Sequence, residues 1–156
     1  YLNFMQDSDE FFMQAALKEA QKAIEEDEVP VGAVIVFENK IIARAHNQME
    51  MLKDPTAHAE MIAITQAASY LDNWRLLDTT LYVTLEPCPM CAGAIILARI
   101  PNLIYGAKDP KKSVCGSVLN IVEDPRSNHI PKVTSLILAQ ESEILMKEFF
   151  RKKRIE

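Results

Sequence analysis

Apolar residues recur at helical spacing through Phe12, Ala16, Ala20 and Ala23-Ile24, as one buried helix face requires. Asp7 with Glu10 forms a capping-box pattern ahead of them, so a helix is expected over Asp7–Asp27, stopped by Pro30. Val31–Phe37 and Ile41–Ala45 are β-rich runs about Glu38-Asn39-Lys40, the pattern of a hairpin. Asp54-Pro55-Thr56 reads as the start of a helix continuing to about Tyr70. Leu81–Leu85 is a strand, after which Pro89 stands where a first helical residue would, with Met90–Arg99 continuing the helix. Leu103–Tyr105 reads as a short strand closed by Gly106, Lys108–Ser117 as a polar loop, Val133–Leu138 as a last strand and Glu141–Arg154 as a closing helix. A hairpin followed by strands alternating with helices implies an α/β domain whose mixed sheet is covered on both faces. Such folds place chemistry at strand-to-helix junctions, here Pro87–Pro89 and the stretch Asp54–His58.

The 156 residues, 49% hydrophobic and 25% charged, suit one globular domain spanning residues 1–156 that needs no disulfide staple. Residues 1–6 are expected to be disordered or appended to it. No apolar run approaches the roughly 20 residues of a membrane span; Ala92–Ala98 comes nearest and ends at Arg99. Tyr1-Leu2-Asn3-Phe4 lacks the order of a signal peptide. Two of the three cysteines form a tight C-x-x-C, which fits a reducing, cytoplasmic setting and metal binding better than a disulfide framework. A net charge of −5 argues against nucleic-acid binding by the whole surface. The charge is uneven, however. Asp7–Glu28 carries eight acids against two bases, whereas Lys147–Arg154 carries five bases against Glu148. The basic tail suits either a nucleic-acid partner on one face or a solvated helix C-terminus.

In Pro87-Cys88-Pro89-Met90-Cys91 the two cysteines lie three apart at a helix start and face the same way. The positive end of the helix dipole favours thiolates, the form that binds metal. Alone, the motif fits a redox pair or half a zinc finger, but a finger needs a second close ligand pair, and the chain has none. It does have His58-Ala59-Glu60. H-x-E followed by P-C-x-x-C is the recognised signature of zinc deaminases. Three ligands, His58, Cys88 and Cys91, leave the fourth tetrahedral position of zinc to water, with Glu60 beside it as proton carrier. Cys115 is a competing ligand that would close the site as a structural Cys₃His centre. His46 and His129 are two further conceivable ligands. The open site is favoured because Glu60 would otherwise have no part in the pattern.

The surrounding strings narrow the reading. Glu28-Val29-Pro30-Val31-Gly32-Ala33, Asp54-Pro55-Thr56-Ala57-His58-Ala59-Glu60, Asn73-Trp74-Arg75-Leu76-Leu77-Asp78, the run Leu81–Ala94, Ser127-Asn128-His129 and Phe149-Phe150-Arg151 resemble the bacterial tRNA-specific adenosine deaminases of the cytidine-deaminase-like superfamily. The likeness runs from about residue 10 to the C-terminus. It implies a three-layer α/β/α sandwich around a five-stranded mixed sheet, one zinc ion per subunit and a homodimer. It also implies hydrolysis of the wobble adenosine of a tRNA, typically arginine tRNA, to inosine. Residue by residue, it places Asn47 on the flipped nucleotide, the Ala59 backbone against the base, and Asp109 and Lys111 in an RNA-contact loop. His129 takes a supporting role, and Phe149 and Arg151 lie on the RNA-facing tail, one ring of the Phe149-Phe150 pair meeting an unstacked base. One departure stands out: Lys112 and Ser113 replace the glycines usual in that loop. Two other readings stay open, a deaminase of a free base or nucleoside such as guanine, and a non-catalytic RNA-binding module stabilised by zinc through Cys115.

Overall fold

The computed structural model describes residues 2–109 and 120–155; Lys111, Lys112, Ser113 and Cys115 lie outside the described residues. Helix α1 spans Leu2–Glu25 and buries Phe12, Met13, Ala16, Leu17, Ala20 and Ala23. It begins before Asp7, within the stretch expected to be disordered or appended. Extending an existing helix adds a hydrogen bond per residue without a new nucleus, so Asp7-Glu10 is not needed to start it. Nor does Pro30 end it: Asp27 turns left-handed (φ 60°) and Glu28 N–H returns to the Ala23 carbonyl at 2.9 Å.

Strands β1 (Gly32–Phe37) and β2 (Lys40–His46) form the expected hairpin. Its turn is the two residues Glu38 and Asn39, both left-handed, which matches the twist of the paired strands. Gly32 is required where α1 crosses β1, because a Cβ there would lie 1.9 Å from the Ala16 carbonyl oxygen. A short helix α2 (Met49–Leu52), not expected from the pattern, follows. Helix α3 covers Ala59–Leu71, starting later than expected. The Asp54 carboxylate takes both the N–H and the hydroxyl of Thr56, at 2.8 and 2.7 Å, and this closed turn keeps Asp54-Pro55-Thr56 out of the helix.

Strand β3 (Thr79–Leu85), helix α4 (Pro89–Leu97) and strand β4 (Asn102–Ala107, with Gly106 inside it) come next. Strand β5 is only Lys132–Thr134, because Leu136 and Leu138 are left-handed and cannot continue a strand. Helix α5 closes the chain at Ala139–Ile155.

The five strands lie in the order β2-β1-β3-β4-β5, antiparallel among β2, β1 and β3 and parallel among β3, β4 and β5. Alternation along the strands sends Ala33, Ile35, Leu81, Val83, Leu103 and Tyr105 to one core, shared with Ala59, Ala63 and Ala67 of α3 and Ala92 and Ile95 of α4. Val34, Val36, Tyr82 and Ile104 face the other, against Phe12, Met13 and Ala16 of α1. Helix α5 packs on β3, β4 and α1. The result is the three-layer α/β/α sandwich with a mixed sheet. No helix of the described residues is long and apolar enough to cross a membrane.

Candidate metal centre and its cavity

Two helix starts meet at the C-terminal end of β3. Cys88 occupies the cap position of α4, Pro89 its first turn, and Cys91 is fully buried. His58 occupies the cap of α3 with extended backbone. Neither His58 nor Cys88 caps its helix with its own side chain, so the positive helix ends face the cysteines and His58. His58 Nδ1 lies 3.5 Å from both cysteine sulfurs. The three ligand atoms sit within 4.8 Å of one another, the one such group among the described residues. One nitrogen and two sulfurs form a donor set that fits a borderline-soft ion such as zinc and leaves a fourth position open.

The electrostatics suit that use. The Cys91 thiol donates to Cys88, and this, with His58, holds the Cys88 thiol down at about 4 despite burial. Donation to Cys88 and burial push Cys91 up, so the pair shares one proton. The hydrogen bond to Cys88 raises His58. Burial pushes the Glu60 carboxyl up to about 7, against the lowering pull of its own backbone N–H and of His58. A carboxyl near neutrality can both take and return a proton.

Around these groups opens a cavity of about 880 Å³, toward the large end of the ~300–1,000 Å³ of small-molecule sites. His58, Glu60 and Cys88 line it with Asn47 and Met49, with Glu86, Lys108 and Asp109, and with Glu143, Met146, Lys147, Phe150, Lys153 and Arg154 of α5. The α5 members recur three and four residues apart, which is one helix face.

Asn47 is buried and its Oδ1 accepts the Ala59 N–H at 2.8 Å. Ala59 itself is fully buried and does not line the cavity. Its N–H is taken by Asn47, so the backbone contact to a base expected at Ala59 is not available from that group. Asp109 lines the cavity and donates its N–H to Glu86 Oε1 at 3.2 Å. Lys111 and Cys115 lie outside the described residues. Phe149 is buried, whereas its neighbour Phe150 faces the cavity at 44% exposure. Arg151 is exposed and does not line the cavity. The histidines considered as extra ligands sit elsewhere: His46 between Glu19 and Glu26, and His129 with Nε2 donating to the Ile100 carbonyl at 2.6 Å.

Two buried acids escaped the sequence pattern. Glu86 joins the metal turn to Asp109, and both oxygens of Glu28 accept the Glu50 N–H that opens α2, at 2.6 and 3.1 Å. Each stands inside one of the family-like strings, next to Pro87 and in Glu28-Val29-Pro30, but nothing local separates a buried carboxylate from a solvated one.

The model of the MafB19-like deaminase family matches residues 6–154. The tRNA-specific adenosine deaminase of Bacillus subtilis (strain 168) is 49% identical over 146 residues, covering 94% of this chain and 91% of the relative. A solved structure from a study of A-to-I editing by tRNA:A34 deaminases at the wobble position of transfer RNA is 47% identical, with a TM-score of 0.84 over 86% of this chain and 98% of that one. The guanine deaminase of Bacillus subtilis is 42% identical over 64% of each chain, with a TM-score of 0.61.

Proposed function

The chain belongs to the MafB19-like deaminases and to the tRNA-specific adenosine deaminase family, and from that premise we propose that it hydrolyses the wobble adenosine of a tRNA anticodon loop to inosine, with arginine tRNA as substrate. The observation that carries this is the Glu60 carboxyl, buried beside three converging ligands in a cavity whose α5 face presents Lys147, Lys153 and Arg154. A cationic wall suits the phosphates of an RNA loop more than it suits a free base.

His58, Cys88 and Cys91 hold the metal, which we take to be zinc, one per subunit. Zinc so held supplies Lewis acidity, making water acidic enough to act near neutral pH. Glu60 takes the proton of the attacking water and delivers it to N1 of the purine as C6 becomes tetrahedral; it then takes the proton of the new C6 hydroxyl and passes it to the amino group, which leaves as ammonia while C6 becomes a carbonyl. Asn47 and Asp109 hold the nucleotide. Met146 and Phe150 cover the extruded base and a neighbour, since unstacked bases are held on apolar and aromatic side chains. The enzyme works as a homodimer in the cytoplasm; Leu97 of α4, 68% exposed, is apolar surface of the kind a second copy buries.

The test is turnover of an anticodon stem-loop carrying the wobble adenosine, compared with free adenosine and free guanine, with zinc measured per chain. Conversion of the stem-loop alone is expected. Turnover of guanine without the stem-loop would replace this reading by the guanine deaminase one. Zinc without turnover of any of the three would replace it by a binding module.

A further inference from the structure

The acidic stretch of α1 takes no part in the deamination chemistry, yet carboxylates from its C-terminal end converge on one short turn. Strand β2 ends at His46 and α2 begins at Met49, which leaves Asn47 and Gln48 as the whole connection. On the near side, His46 Nε2 meets Glu26 Oε2 at 2.8 Å and Nδ1 meets Glu19 Oε1 at 3.4 Å. Glu19 is buried, and its other oxygen pairs with Lys22 at 2.6 Å. On the far side, Glu28 receives the Glu50 N–H that opens α2. Between these anchors, Asn47 N–H donates to the Val31 carbonyl at 3.2 Å and Gln48 N–H to the Ala57 carbonyl at 3.0 Å.

The side chain so fixed is Asn47, which lines the cavity and holds the first N–H of α3, between His58 and Glu60. Packing of α1 on the sheet does not need His46, since Phe12, Met13 and Ala16 meet Val34, Val36 and Tyr82 without it. What the His46 contacts add is the setting of the next residue.

We propose that His46, clamped between Glu19 and Glu26, is a positioning residue that sets the Asn47 carboxamide, and through it the His58–Glu60 turn, for deamination. This rests on the reading of the cavity as a deaminase site. It assigns a role to the acidic run of α1: its carboxylates aim a residue on the far side of the sheet hairpin.

A double-mutant cycle tests it, with kcat and KM measured separately on the anticodon stem-loop and zinc measured per chain. His46→Gln is expected to keep zinc and lower kcat/KM about 10-fold, less than the ~10² that misplacement of reacting groups can cost. In an Asn47→Ala background the same change should cost under about twofold, because coupled residues are not additive. Glu26→Ala, at an exposed position just past the end of α1, serves if His46→Gln fails to fold, and the same coupling is expected of it. Equal losses in both backgrounds, or no loss in either, overturns the proposal. Failure of the wild-type chain on the stem-loop would instead remove the tRNA reading. The same cycle, run on whichever free nucleoside or base is turned over, still decides the role of His46.

Discussion

The metal turns and the α5 wall face the same cavity but are built in opposite ways. His58, Glu60, Cys88 and Cys91 come from two helix starts whose neighbours are buried: Ala59, Cys91 and Ala92 are fully enclosed, and Asn47 pins the start of α3 from the side. The wall is one face of an exposed helix, with Glu143, Lys147, Phe150, Lys153 and Arg154 all accessible. Reaction chemistry needs groups held to a fraction of an ångström, and a buried turn provides that. Recognition of a flexible loop tolerates side chains that adjust. Substitutions in the first region should therefore strike kcat or the metal, and substitutions in the second should strike KM.

The largest effects are expected in the turns. Cys91→Ala removes a buried ligand, so metal content should fall to that of a chelated control and turnover should vanish; metal analysis beside the assay checks this. Glu60→Ala should keep the metal yet lower kcat by at least ~10²–10⁴, the usual contribution of a positioned proton carrier. Near-normal kcat in that variant would remove Glu60 from the mechanism. If both variants changed only KM, the division between the two regions would be void.

That division also explains what could be read from sequence. The ligands and Glu60 were legible because each is fixed by a short local spacing, three residues in the cysteine pair and two in His58–Glu60. The sheet was legible because its faces alternate. Less so were elements whose limits depend on single backbone choices: left-handed Asp27, Leu136 and Leu138 ended α1 and β5 where periodicity alone did not. On α5 the tail was visible as a basic run, but which ring and which cation face the cavity depends on how the helix is rotated against the sheet. One residue of phase separates Phe149 from Phe150, and adjacent helix positions point about 100° apart. Glu28, Glu86 and the His46 clamp were invisible because their partners lie far along the chain.

The phenylalanine pair gives the intermediate prediction. Phe150→Ala should raise KM for the stem-loop by roughly 5- to 150-fold, the equivalent of the ~1–3 kcal/mol of one base–aromatic stack, with the melting temperature nearly unchanged. Phe149→Ala should do the reverse. Its ring is buried, edge-on to Phe150 at 5.3 Å between centroids. Truncating a buried Phe costs roughly 3–5 kcal/mol of stability, so thermal unfolding should fall while KM in the folded fraction holds. A shared pattern in the two variants would mean that α5 is rotated away from the phase that buries Phe149 and turns Phe150 to the cavity.

The smallest effects separate the cations of the same helix. Each phosphate neutralised on a single-stranded RNA adds about 0.7 to the slope of log affinity against log salt. Lys147 and Arg154 line the cavity, and neither belongs to an ion pair among the described residues. Lys147→Ala and Arg154→Ala should each lower the slope by about that amount and weaken stem-loop binding a few-fold at moderate salt. Arg151, exposed but off the cavity, should leave the slope unchanged when replaced by Ala. Binding titrations across a series of salt concentrations resolve a change of this size. Equal slopes for all three variants would mean that the tail acts as a diffuse positive field, and the wall would then have no orientation of its own toward the RNA. A loss confined to Lys147 and Arg154 would show that the rotation of α5 decides which of its charges the substrate meets.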